Sequence, residues 1–138
     1  MDHGRWRDAI SGAGRRALHY VLRVARSCVD GPVIGWIFEH MSFAIPVQRL
    51  RETPSIMAFF HPQPEYPVHV LLVPKRAISG LTDPGAIDVD LLADLLRVVQ
   101  SLVVELGLEQ RGYRLIVNGG AYQDIAQLHF HLVSGTPT

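Results

Sequence analysis

Gln127-Leu128-His129-Phe130-His131-Leu132-Val133 is the stretch on which the reading of this chain turns. Side chains along a β-strand alternate between faces with a period of two. The run therefore predicts Gln127, His129 and His131 projecting together into one cleft, while Leu128, Phe130 and Leu132 project the other way into a core. Two imidazoles and an amide backed by an apolar face make a chemical surface rather than a packing surface.

Working back from that run, Asn118-Gly119-Gly120 reads as a tight turn and residues 113–117 as the strand before it. Leu91, Leu92, Leu95, Val98, Val99, Leu102 and Val103 recur at helical spacing, with Asp88 or Asp90 placed to cap the helix and Gly107 to stop it. Residues 68–73 form a buried strand closed by Pro74-Lys75-Arg76, and residues 61–67 are a loop, because their three prolines lack backbone donors. Residues 56–60 are apolar enough for a central strand, and residues 47–51 alternate as another. Five strands with one long helix between the third and fourth make an α+β pattern. Further back, residues 33–41 read as a short helix after the Asp30-Gly31-Pro32 break. Residues 6–28 read as a longer helix with an apolar stripe and an arginine-rich opposite face. The organisation expected is an N-terminal helical extension, 1–32, followed by one domain, 33–138.

Composition narrows the function classes. The 138 residues carry balanced formal charge, so nothing global calls for nucleic acid, and the basic N-terminal helix lacks the interleaved aromatics of a nucleic-acid module. Cys28 is the single cysteine, which excludes an intrachain disulfide and a multi-cysteine zinc site. The start lacks a secretory layout and no apolar run is long enough for a membrane span, so a cytoplasmic protein is expected.

The ordered set of motifs resembles the histidine-triad (HIT) superfamily, closest to its small nucleotide-binding branch. That family's signature is His-φ-His-φ-His-φ-φ, with φ apolar, and here it stands as Gln127-Leu128-His129-Phe130-His131-Leu132-Val133. Ala58-Phe59, the run from Pro67 to Arg76 containing Pro74-Lys75, Gly107-Leu108, Gly112-Tyr113-Arg114 and Val117-Asn118 follow the family's order. The resemblance implies a HIT-like fold, a purine nucleotide or nucleotide conjugate as ligand, and a homodimer. It also implies cleavage at the α-phosphate without metal or other cofactor.

Carried onto this sequence, the resemblance makes His129 the nucleophile that would form a nucleotidyl-histidine, and His131 a donor to phosphate or bridging oxygens. A neutral imidazole supplies such a nucleophile near pH 7, since its ordinary pKa is about 6.5. Gln127 takes the place of the first histidine: glutamine hydrogen-bonds but carries no proton, so it is tolerated if that position acts through its backbone carbonyl. Asn118, Gln123 and Asp124 fall on the phosphate and leaving-group side, with Asp124 a departure from the family's pattern. His61 stands where relatives often place an acidic residue on the ribose hydroxyls, and an imidazole cannot accept two such bonds. His69 would support the site from one strand over, and Val33, Ile34, Ile37 and Phe59 correspond to the apolar slot for the base.

The leading expectation is a nucleotidyl hydrolase or transferase. Its rival is a HIT-fold nucleotide-binding module with little turnover, suggested by the altered residues 61, 124 and 127. A third chemistry, zinc held by His129 and His131 with His69 or His61, follows from the ability of His-x-His on a strand to chelate.

Overall fold

Asp88 starts the long helix as its spacing predicts. The Asp88 carboxylate accepts from the Leu91 amide at 3.1 Å, and α1 runs Val89–Glu105. The helix ends in a hydrogen-bonded reversal: the Gly107 amide bonds Val104 O at 3.2 Å and the Leu108 amide bonds Val103 O at 2.9 Å. This geometry needs a left-handed residue at position 107, and Gly107 has φ +62°. Leu108, fully buried just past the turn, pins the reversal against the core.

The computed structural model describes residues 48–138. Among them are five strands: β1 (Arg49–Glu52), β2 (Ile56–Phe60), β3 (Val68–Pro74), β4 (Arg114–Val117) and β5 (Phe130–Ser134). They form one antiparallel sheet in the order β1-β2-β3-β5-β4, so β5, last in sequence, lies between β3 and β4. The α+β class, the five strands and the single long helix between β3 and β4 are as the sequence predicts. The expected N-terminal helix, the short helix 33–41 and Val33, Ile34 and Ile37 lie outside the described residues. No helix among the described residues is long and apolar enough to cross a membrane.

Alternation along the strands sorts the sheet into two faces. Ile56 and Ala58 of β2, Val70 and Leu72 of β3, and Phe130 and Leu132 of β5 pack with Leu91, Leu95, Val98, Val99, Leu102 and Val103 of α1 in one apolar core. Polar contacts fix the helix over this face: the Thr53 and Ser55 hydroxyls donate to Asp94, and Arg51 reaches Ser101 and Glu105. The opposite face carries Phe59, Leu71 and His131 in register across β2, β3 and β5, with Ile116 of β4 next to His131.

The motif strand is shorter than its alternation suggests. Its ladder with β3 begins at Phe130, paired with Leu72, and Leu128 bonds instead to Ile78 O at 2.7 Å. Residues 127–129 are thus held by the segment that follows β3, which changes where Gln127 points.

Candidate functional site

Three neighbouring chain segments bring four imidazoles to one face. His131 lies on β5, and His129 precedes that strand with its ring centre 5.0 Å from that of His131. His69 lies on β3, where its pairing with Val133 puts it diagonal to His131, and the two ring centres are 5.2 Å apart. His61 extends β2 by one residue, its amide bonding His69 O at 2.8 Å, and its ring stacks on His69 at 4.2 Å.

Hydrogen bonds determine which nitrogen of each ring carries the proton. A carbonyl oxygen can only accept, so the 2.7 Å contact between His129 Nδ1 and Gln127 O is an Nδ1–H donation. In the neutral ring this leaves a lone pair on His129 Nε2. The Glu65 amide donates to His69 Nδ1 at 3.2 Å, so His69 holds its proton on Nε2 and gives it to His131 Nδ1 at 2.9 Å. His131 therefore carries its own proton on Nε2, a buried atom with no hydrogen-bond partner among the described residues. The two motif histidines are in opposite tautomers: Nε2 carries a lone pair in one and a proton in the other.

His69 and His131 are both held neutral. Burial lowers the pKa of His69 from 6.5 to about 4, with the neighbouring His131 adding to the effect. His131 is also lowered to about 4, by burial first and then by His129 and His61. An imidazolium here would lose hydration and face other imidazoles rather than a carboxylate.

Gln127 departs from the expectation of a shared cleft. Its side chain is buried, with Nε2 donating to Pro74 O at 3.2 Å and Arg76 O at 2.9 Å and Oε1 accepting from the Ile78 amide at 3.4 Å. The amide clamps the chain leaving β3, and Gln127 meets His129 only through its backbone carbonyl. Gln123 is similarly engaged, donating to Ser79 O at 2.7 Å and Ile125 O at 2.9 Å, so it ties two loops together. Asn118 follows the Val117–Phe130 pair, and continuing that register sets it opposite His129. Asp124 is exposed, while Phe59 is buried on the histidine-bearing face.

The contributions that sequence reading missed are two backbone amides. In residues 62–67, Pro62, Pro64 and Pro67 have no N–H, leaving Gln63, Glu65 and Tyr66 as donors. Two of these three point at imidazoles: Gln63 N–H at His61 Nδ1, 3.1 Å, and Glu65 N–H at His69 Nδ1. The proline spacing was the available signal, although it marks a loop without saying what its amides reach.

His61, His69 and His131 offer nitrogens all within 4.8 Å of one another, a spacing that invites a metal ion. The hydrogen bonds argue for another use. A metal-bound imidazole ordinarily donates its second N–H to a carbonyl or carboxylate. Here His61 and His69 have Nδ1 facing amide donors, so ligation through Nε2 would set N–H against N–H. The rings fit an oxyanion beside a nucleophilic nitrogen better than they fit a cation.

Residues 42–138 match the HIT domain family. The chain is 33% identical over 93 residues to a HIT-like protein of Helicobacter pylori, covering 66% of this chain and 86% of that protein. A HIT family hydrolase from Legionella pneumophila has a similar structure, with a TM-score of 0.66, 31% identity, and coverage of 72% of this chain and 91% of that one. A histidine triad nucleotide-binding protein from Candida albicans gives a TM-score of 0.61 at 32% identity, covering 70% of this chain and 71% of that one.

Proposed function

The chain belongs to the HIT domain family, and on that premise we propose that it cleaves a bond to the α-phosphorus of a nucleotide or nucleotide conjugate through a nucleotidyl-histidine on His129. The observation that carries this reading is the 2.7 Å bond from His129 Nδ1–H to Gln127 O, which directs the ring's lone pair to Nε2. In the first step Nε2 attacks the α-phosphorus and the bond to the leaving group breaks. The leaving atom departs with the bonding pair, its charge met by a hydrogen bond from the His131 Nε2–H, and takes its proton from solvent. In the second step water attacks the phosphorus, the phosphorus–nitrogen pair returns to His129, and the water proton passes to solvent. An acceptor hydroxyl or amine in place of water makes the same sequence a transfer. No metal is needed, because N–H donors meet the oxygen charge.

The structure also bears on Gln127. A side chain committed to Pro74, Arg76 and Ile78 cannot shuttle protons, but the carbonyl orients the nucleophile whatever the side chain is. This supports turnover over binding alone. Rapid quench with intact-mass detection tests it, using adenylyl and guanylyl phosphoramidates and dinucleotides. The expected signal is a protein heavier by one nucleotidyl group, lost on acid treatment. Nucleotide binding without adduct or turnover would instead support the binding-module reading.

Two copies are proposed to pair through α1 and β4. Val89, Leu92 and Leu96 are exposed on one side of α1, Tyr113 and Leu115 are exposed at β4, and β4 is an edge of the sheet among the described residues. Apolar side chains beside an open edge call for a covering surface. Light scattering at micromolar concentration is expected to give twice the chain mass.

A further inference from the structure

The segment that follows β5 turns back onto the loop that aims the histidine protons. Gly135 takes φ +91°, and a Cβ placed there would meet Pro67 Cγ at 2.7 Å, so the chain passes close against the loop. Further on, the Thr138 amide donates to Glu65 O at 2.9 Å and the Thr138 hydroxyl to the same oxygen at 3.3 Å. Glu65 is the residue whose own N–H faces His69 Nδ1. Its backbone is thus held on one side by a residue 73 positions later and spends its other side on an imidazole. Pro62, Pro64 and Pro67 bring no N–H to the loop, so support from outside it counts for more.

We propose that Thr138 is a positioning residue: by holding the Glu65 carbonyl with its backbone N–H it keeps the Glu65 amide on His69 Nδ1, and so keeps the proton of His131 on Nε2. This role rests on the reading of His131 as the donor to the leaving atom. The alternative arrangement uses the same atoms. With the His69 proton on Nδ1, N–H would face N–H at Glu65 and the bond between His69 and His131 would run in reverse. His131 would then turn a lone pair at Nε2 toward an oxygen gathering charge. The Glu65 amide disfavours that arrangement by one hydrogen bond, a bias of about three- to tenfold. Thr138 and Glu65 are both exposed, so water competes for the bond between them, and losing it weakens the bias without unfolding the domain.

The test is long-range proton–nitrogen NMR of the full chain at about pH 7.5, where imidazoles are ordinarily neutral, with turnover of an adenylyl phosphoramidate measured on the same samples. Wild type is expected to show His69 and His131 protonated on Nε2 and His129 on Nδ1. Thr138→Pro lacks both the N–H and the hydroxyl. It is expected to move the ring nitrogens of His69 and His131 toward the average of the two tautomers while those of His129 stay in place. Turnover then falls about twofold, the share of rings in the reversed arrangement, with KM little changed. Thr138→Ala keeps the N–H and is expected to recover the wild-type nitrogen pattern. Unmoved His69 and His131 nitrogens in Thr138→Pro would overturn the proposal. A shift of all three rings, which marks general loosening, would overturn it as well, and so would Thr138→Ala behaving as Thr138→Pro. A wild type with no turnover and no adduct would defeat the α-phosphate reading instead, and the nitrogen shifts of Thr138→Pro would still decide what Thr138 holds.

Discussion

The sheet's two faces are built on different terms. Under α1, side chains are apolar and hold one another by shape and exclusion of water, without directional bonds. On the other face, His69 is buried and His131 half-buried, and the pair depends on a chain of single protons, beginning at the Glu65 amide. The first face tolerates volume-conserving exchange; the second is defined by which atom carries a hydrogen. Packing and chemistry are thus separated by the thickness of one strand, with Phe130 facing the core between His129 and His131.

The sharpest way to break that comparison is His129→Ala. Turnover should fall on the order of 10⁴-fold or more, with the adduct lost and nucleotide affinity little changed, because a nucleophile matters most in the transition state. Normal turnover by this variant would place the chemistry elsewhere. On the apolar face, Leu72→Ala should cost roughly 2–5 kcal/mol in denaturant unfolding through the cavity it leaves. A cost near zero would mean the core under α1 is loosely filled.

Gln127 tests the boundary between the two kinds of construction. Gln127→Ala leaves two carbonyls and an amide without their partner and should cost about 1–3 kcal/mol. Gln127→His retains at most one N–H and one acceptor, so it should also destabilise, with little gain in rate. A large gain would show that an imidazole is needed there and that the carbonyl alone is insufficient.

Acid provides a graded probe of the histidine face. His69 and His131 have pKa values lowered to about 4, so between the ordinary 6.5 and that value the unfolded chain binds more protons than the folded one. Stability is then full above about pH 6.5 and declines as pH falls toward 4. His69→Gln should flatten this decline in thermal melts recorded across that window; an unchanged slope would move the acid sensitivity to other groups. The smallest expected effect is the cap: Asp88→Ala removes the bond to the Leu91 amide and the ion pair with Arg76, lowering the midpoint of denaturant unfolding by less than Gln127→Ala does and leaving nucleotide chemistry unaltered.

The parts legible in sequence were those set by neighbours in the chain. β2 has the predicted bounds, Asp88 caps α1, and Gly107 ends it, because periodicity, caps and left-handed glycine are local properties. His129 and His131 share a side for the same reason. Gln127 escaped because its side chain answers to Pro74, Arg76 and Ile78, groups supplied by a bend some fifty residues earlier. The stacking of His61 on His69 and the direction of each proton also depend on the 62–67 loop, whose amide orientations no residue pattern encodes.

The place of β5 in the sheet has a consequence for biosynthesis. β5 is the last described strand to leave the ribosome, yet its position is internal, between β3 and β4. Until it emerges, β3 and β4 each lack a partner along the edges it will fill, and both motif histidines are missing from the folding chain. A released fragment ending before residue 129 can therefore gather α1 and the first three strands, but it lacks both motif histidines and leaves the edges of β3 and β4 that β5 would fill for a chaperone to guard.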